Sequence, residues 1–237
     1  MKKLLVVILV VFFANAALAA ESRLKSSGSA GVSAENSSVV NSSEGWQINA
    51  GIHMSKFKVS AGDTSDSKNN TPFSLAIAKE ISTSNSGGVL FELSLMTGEK
   101  YEDSEEYSDG SAGVKAEIEM KMQMALFASL YYQFNTAVTG LKPYIGAGLG
   151  LASLKLSLSG SWDEYDPLFG SDSGSVSISE TANSFAYQLG LGANYFFSKN
   201  IAAGLGWGYR DYGSLDWYGE KVKMKSSGLF GKLTYRF

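Results

Sequence analysis

Between Val114 and Phe134 the chain alternates with a period of two over a stretch long enough to leave few folds open. Ala116, Ile118, Met120, Met122, Met124, Leu126, Ala128, Leu130, Tyr132 and Phe134 share one phase. Glu117, Glu119, Lys121, Gln123, Phe127, Ser129, Tyr131 and Gln133 share the other. Strand side chains alternate between two faces, whereas a helix would spread both sets around its circumference and put charges into its apolar stripe. The segment therefore reads as one long strand, its apolar face toward lipid and its mixed face toward a lumen.

The same test finds seven more strands. Trp46, Ile48, Ala50, Ile52 and Met54 form one apolar set, Phe73, Leu75, Ile77 and Ile81 a second, and Val89, Phe91, Leu93 and Leu95 a third. After Pro143, Ile145, Ala147, Leu149 and Leu151 hold one phase. The apolar residues then change place to Leu154, Leu156 and Leu158, which predicts a β-bulge near Ala152. Three further sets lie at Phe185–Phe197, Ile201–Tyr209 and Leu229–Phe237. Eight antiparallel strands with both ends on one side make an all-β transmembrane barrel of the outer-membrane type.

Connector lengths agree, because such barrels have short periplasmic turns and long outer loops. Ser82 to Gly88, Asn135 to Lys142 and Ser198 to Asn200 are short; Ser60 to Thr71, Gly98 to Gly113, Ser159 to Asn183 and Asp211 to Glu220 are read as polar outer loops. Aromatic residues mark two girdles, as expected at the two interfaces. Trp46, Tyr132, Phe134, Tyr195, Phe197, Tyr235 and Phe237 lie at the short-turn rim, and Phe73, Phe185, Trp207 and Tyr209 near the other. Lys79 falls in the lipid-facing phase and is expected to snorkel toward headgroups. The alternative, a soluble lipocalin-like barrel, would turn its apolar face inward and leave the outward rings needlessly aromatic.

The chain opens with Lys2 and Lys3, an apolar run from Leu4 to Phe13, and Ala17-Leu18-Ala19. This is the pattern of a secretory signal peptide, 1–19, and the apolar run is too short for a membrane-spanning helix. Residues 20–44 are rich in Ser, Asn and Gly and read as a flexible periplasmic arm, leaving 45–237 for the barrel. The formal charge is −3, two units more negative without Lys2 and Lys3, which argues against nucleic acid as a partner. With no cysteine, disulfides, thiolate catalysis and thiolate metal sites are excluded.

The lumen-facing phase is predicted to hold Glu80, Glu92, Glu117, Glu119, Lys121, Arg210, Lys232 and Arg236. Eight strands enclose a space that side chains can fill, so these charges are expected to pair into a plug rather than line a channel. Gly146, Gly148, Gly150, Gly190, Gly192, Gly204, Gly206 and Gly208 share that phase and would leave room for Phe127, Tyr131 and Phe230. The one histidine, His53, has Ser55 two residues on but no evident third group, so no catalytic residue is assigned. Acidic outer segments lack the fixed spacing of a Ca²⁺ loop, so neither a metal nor a cofactor is expected. Trp162, Tyr165, Trp217 and Tyr218 are candidate contact residues for a partner.

Leu141-Lys142-Pro143-Tyr144-Ile145-Gly146-Ala147-Gly148-Leu149-Gly150, then Phe185-Ala186-Tyr187-Gln188-Leu189-Gly190-Leu191-Gly192-Ala193 and the closing Tyr235-Arg236-Phe237 carry a family resemblance. From about Gly45 onward the chain resembles the opacity-type surface antigen barrels of proteobacteria. The resemblance implies an outer-membrane location, roles as surface antigens, adhesins or modest pores, and no shared catalytic residue. It also implies that Tyr235 and Phe237 form the signal read by the barrel-assembly machinery.

The function expected from the sequence is a surface protein that displays acidic loops, with outer-membrane lipid, the assembly machinery and a host or cell-surface molecule as partners. A small-solute porin is the alternative, and a lipid-modifying barrel enzyme the third reading.

Overall fold

The computed structural model describes residues 45–84, 87–108, 112–166 and 170–237. The chain divides into two units, Met1–Val40 and Asn41–Phe237, and the barrel is the second. The segments expected to be a signal peptide and a flexible arm, 1–19 and 20–44, lie outside the described residues.

Among the described residues there are ten strands: β1 Trp46–Ala61, β2 Thr64–Asn70, β3 Phe73–Ser84, β4 Gly87–Thr97, β5 Glu99–Ser108, β6 Ala112–Phe134, β7 Leu141–Asp166, β8 Gly170–Phe196, β9 Ile201–Trp217 and β10 Glu220–Arg236. Eight of them close a ring in the order β10-β9-β8-β7-β6-β4-β3-β1, completed by β1 against β10. That closure leaves no free edge in the ring, so every backbone polar group within the hydrocarbon can be paired. No described helix is long and apolar enough to cross a membrane, and the strands do the crossing.

β2 and β5 are the outward continuations of β3 and β4, and the expected outer loops are largely strand. The breaks have local causes. Pro72 has no N–H for the ladder, and its carbonyl instead accepts from the His53 amide at 3.0 Å. Gly98 turns through φ 98°, and a Cβ there would lie 3.2 Å from Pro72 Cα. Beyond this pair β2 follows β1 while β5 follows β6, so the wall divides. A second division opens where the β8–β9 ladder ends at Tyr187 opposite Asp211, just below Gly213 at φ 81°. The outer part of the molecule is thus two four-stranded sheets, β5-β6-β7-β8 and β2-β1-β10-β9.

The two sheets pack on a shared apolar core. Phe57 and Val59 of β1, Tyr101 of β5, Met120 and Met122 of β6, Leu154 and Leu156 of β7, Tyr212 and Leu215 of β9, and Val222 and Met224 of β10 are all buried in it. This corrects the faces expected for β6. A bulge at Gln123, where the register jumps between Met122 and Met124, turns Met120 and Met122 inward and Glu117, Glu119 and Lys121 outward.

β7 carries no bulge. Tyr144, Ala152, Leu154 and Leu156 all face inward in unbroken alternation, and what changes is the surroundings: lipid outside Leu149 and Leu151, water outside Ser153 and Lys155. Leu149→Arg should therefore cost about 2 to 4 kcal/mol in a reversible unfolding assay in lipid, and Ser153→Arg, on the same strand face but above the hydrocarbon, close to nothing. Equal losses would mean that the membrane edge is misplaced.

The lipid band is otherwise as the periodicity indicates. Trp46, Ile52, Leu75, Leu149, Leu191, Leu205, Leu233 and Tyr235 are exposed on the outer wall. Lys79 stands opposite Trp46 with its ammonium 5.7 Å from that ring, a cation–π contact at the short-turn rim.

Candidate functional site

Inside the ring the polar side chains form four groups at successive heights. At the short-turn end Glu80 of β3 is buried between two cations, 2.7 Å from Lys142 Nζ and 2.5 Å from an Arg236 guanidinium nitrogen. Both cations lie against the Phe196 ring, at 5.6 and 4.6 Å from its centroid.

One step outward, Asn49 donates to Glu92 at 2.8 Å and accepts from the Thr234 hydroxyl at 2.7 Å. Lys232 sits 4.5 Å over the Tyr144 ring, which meets Tyr131 edge to face. Higher still, Arg210 approaches His53 Nδ1 at 2.8 Å, and His53 Nε2 lies 2.8 Å from Ser74 Oγ. Above them Ser55 donates to Glu99, which also accepts from Tyr212 at 3.3 Å.

The glycine phase makes this possible. A Cβ on Gly150 would lie 2.8 Å from Phe127, and one on Gly206 would lie 2.6 Å from Phe230, so the bare half of the wall accommodates the rings of the other half. Between them lies a cavity of about 50 Å³, with His53, Glu92, Arg210 and Lys232 among its lining residues.

Of the eight charges expected in the lumen, the structure places Glu80, Glu92, Arg210, Lys232 and Arg236 there. Glu117, Glu119 and Lys121 lie on the outer face of β6, where Glu119 pairs with Lys121 at 2.9 Å and with Lys100 at 3.5 Å. Lys142 and Ser74 are lumen residues that periodicity did not single out; only their pairing partners on other strands mark them. His53 meets Ser74 rather than Ser55.

The His53 geometry also decides its chemistry. Arginine only donates, so Nδ1 must hold the lone pair and Nε2 the proton, which it donates to Ser74 Oγ. A histidine in that tautomer cannot remove the serine proton. Among the described residues no group of three or more His, Asp or Glu is arranged to hold a metal.

At the outer end β7 and β8 have 26 and 27 residues against 17 each in β9 and β10. The difference of nine or ten residues lets the first hairpin overhang the second by roughly 30 Å. On the core-facing side of that overhang, Tyr107, Val114 and Trp162 form a cross-strand row that ends at Gly174, and Val176 lies two places further along β8 on the same face; the four are 69%, 52%, 46% and 51% exposed. Glu105 lies on the same side, and Glu106 and Asp163 are exposed beside it.

The β9–β10 hairpin ends at Trp217 and Tyr218, whose rings meet at 89° with centroids 5.2 Å apart. Tyr218 and Gly219 both have positive φ, 49° and 87°, the pattern of a type I′ turn, and Tyr218 is 82% exposed. The two aromatics border a groove of about 340 Å³ with Ile178, Ser179 and Glu180 of β8. The backbone of Tyr165 is in β7, opposite Ser171, and its side chain lies outside what the structure describes.

A hydroxyl clasp crosses the β2/β5 division: Tyr101 donates to Asp66 at 2.9 Å and to Asp103 at 3.3 Å. Burial, then the Asp66 hydrogen bond, pushes the Tyr101 phenol up to about 12. The Ser67 amide, then the Tyr101 hydroxyl, holds Asp66 below the usual carboxylate range. The tyrosine's contribution is complete below the ordinary phenol range and is lost as pH rises through about 12.

No curated protein matches the chain. Among solved structures, the Neisserial surface protein A shares 18% identity over 81% of this chain and 97% of its own, with a TM-score of 0.48. Ail, the attachment invasion locus protein of Yersinia pestis, shares 16% over 80% and 99%, with a TM-score of 0.35. The N-terminal β-barrel domain of Pseudomonas aeruginosa OprF shares 17% over 78% and 96%, with a TM-score of 0.31. The family model for the outer membrane protein beta-barrel domain matches residues 5–237, and the chain belongs to that family, in the bacterial outer membrane.

Proposed function

We propose that this barrel is a surface-display protein whose activity resides at its outer end, and that its lumen does not conduct solutes. The observation that carries the reading is the overhanging β7–β8 hairpin with the uncovered patch that its Trp162 and Val176 form with Tyr107 of β5 and Val114 of β6. Apolar rows flanked by carboxylates are contact surfaces in water, and aromatic residues are favoured anchors there. The partner that fits is a protein surface with apolar ground and a basic rim, on a host cell or a neighbouring cell. Tyr218, held at positive φ on the second hairpin, adds a further anchor.

The filled lumen supports the same reading, because the ionic groups and the apolar core between the sheets leave a cavity fit for water but not for a continuous solute path. A catalytic reading has no support at His53, since its tautomer is the wrong one for a base. Tyr235 and Phe237, exposed at the periplasmic rim, remain the proposed assembly signal.

The test has two arms. In planar bilayers the refolded protein should give no stable conductance steps. Displayed on a non-adherent bacterium, it should promote adhesion to epithelial monolayers or to sister cells, and Trp162→Ser with Val176→Ser should reduce that adhesion at least about fivefold. Large, regular conductance steps together with unchanged adhesion in the variant would replace this reading by the porin.

A further inference from the structure

The outer wall just above the lipid band carries lysines around much of its circumference, but their surroundings differ. On β5, β6 and β7 the row Lys100, Lys121, Lys155 runs across adjacent strands, and Glu102 and Glu119 pair with the first two. On β1 and β10 the outward positions are Lys56, Lys58, Lys221, Lys223 and Lys225. Two carboxylates share that face: Asp211, 3.1 Å from Lys225, and Asp216, opposite Lys221. Among the described residues no carboxylate forms an ion pair with Lys56, Lys58, Lys221 or Lys223.

Lys58 stands directly opposite Lys225 in the ladder, with Lys56 two places below and Lys223 two places above. Like charges in directly opposed positions destabilise a sheet; Asp211 offsets this at Lys225, while the charges of Lys56, Lys58 and Lys223 gather on the same face without an ion pair. Neighbouring strands are about 4.8 Å apart and alternate residues about 7 Å apart along each, so the four ammonium groups can converge on one phosphate. Ser60, Ser67 and Ser227 lie on the same face as further donors.

One ladder step below Lys56 and Ser227 the wall becomes apolar: Met54 stands opposite Leu229, and Leu229 opposite Trp207. Ile52, Leu205 and Leu233 continue the strip toward the membrane centre, all exposed. A basic cluster seated directly on an apolar strip matches a molecule with an anionic head and hydrocarbon tails.

We infer that the outer wall of β1 and β10 is a binding site for a phosphate-bearing lipid of the outer leaflet. Lys56, Lys58, Lys223 and Lys225 contact its phosphate, and the strip from Met54 and Trp207 to Leu233 holds its acyl chains. The occupant is a lipid rather than free phosphate because the charged and apolar parts are contiguous and only a lipid fills both. This site is separate from the partner surface on the β7–β8 hairpin.

The experiment compares the full barrel with a variant in which Lys56, Lys58, Lys223 and Lys225 are all glutamine, each reconstituted in phosphatidylcholine vesicles with or without phosphatidic acid. Native mass spectrometry of protein released from these vesicles should show phosphatidic acid retained on the order of tenfold more than phosphatidylcholine by the parent protein and not by the variant. A second variant, with Lys100, Lys121 and Lys155 as glutamine, should retain it like the parent.

Stability supplies an independent readout that a folding defect would not imitate. Without anionic lipid the first variant should unfold at the same or higher urea than the parent, because a repulsion is gone; with phosphatidic acid the order should reverse. The same order in both lipids, or equal retention by parent and first variant, would overturn the site. Stabilisation of the parent in pure phosphatidylcholine by millimolar inorganic phosphate, equal to that by phosphatidic acid, would overturn its assignment to a lipid.

Discussion

Replacing Glu80 with alanine is expected to cost the folded barrel about 3 to 5 kcal/mol, because it leaves the buried Arg236 and the part-buried Lys142 without their anion. Glu80 is the only carboxylate that pairs with Lys142 and Arg236 among the described residues, and it takes both at once. The loss should appear as a lower urea midpoint in lipid vesicles. Changing the whole group, Glu80→Leu with Lys142→Met and Arg236→Met, should restore most of the loss, since an apolar replacement avoids the desolvation of all three charges. A loss under about 1 kcal/mol for Glu80→Ala would mean that water reaches the group and screens it.

The second large effect is expected in the core between the two outer sheets. Phe57→Ala should cost about 3 to 5 kcal/mol, from lost burial and the cavity left behind. Phe57 is fully buried and its ring lies 6.2 Å from that of Tyr212, which also packs on Phe127. Phe185→Ala, at a lipid-facing position, should cost markedly less, because truncation there leaves space that acyl chains can fill. The two variants are compared by equilibrium unfolding in the same vesicles. Equal costs would mean that the outer sheets do not form a packed core.

β6 and β7 show why the barrel was legible in the chain and the outer sheets were not. Periodicity reports whether successive apolar residues share a face, but not which face, nor what lies beyond it. In β6 the apolar phase is unbroken from Ile118 to Phe134, and a bulge at Gln123 reverses the wall underneath it. In β7 the backbone is regular and the apolar phase changes, because lipid gives way to water outside and to a protein core inside.

One pattern concealed a bulge and the other imitated one. Both record the same event, the point at which the wall leaves the membrane. The misplacement of Glu117, Glu119 and Lys121 follows from that single residue. Polar composition likewise made the outer segments read as loops, whereas Glu102 of β5 and Asp216 of β9 are on the wet face of strands whose other face buries Tyr101 and Leu215.

The lumen was legible as a set of charges, but their partners were not. Glu80 and Arg236 are 156 positions apart in the chain, and nothing local to either marks the other. Ser74 is similar: one small polar residue among many, made particular only by its place opposite Gly51, beside His53. Strand register decides such pairs, and register follows from turn geometry and packing across the whole ring.

The closure of β1 on β10 has a consequence for the order of events during synthesis. The first strand made must wait for the last, since Gln47 pairs with Arg236. Throughout that wait both strands present open edges, the state most exposed to pairing with the wrong chain. The same final strand delivers the second cation to Glu80. A chain stopped a few residues early would therefore miss its closing ladder and leave an internal charge half-compensated at the same time, so completeness is checked twice, by geometry and by charge, at a single point in the chain.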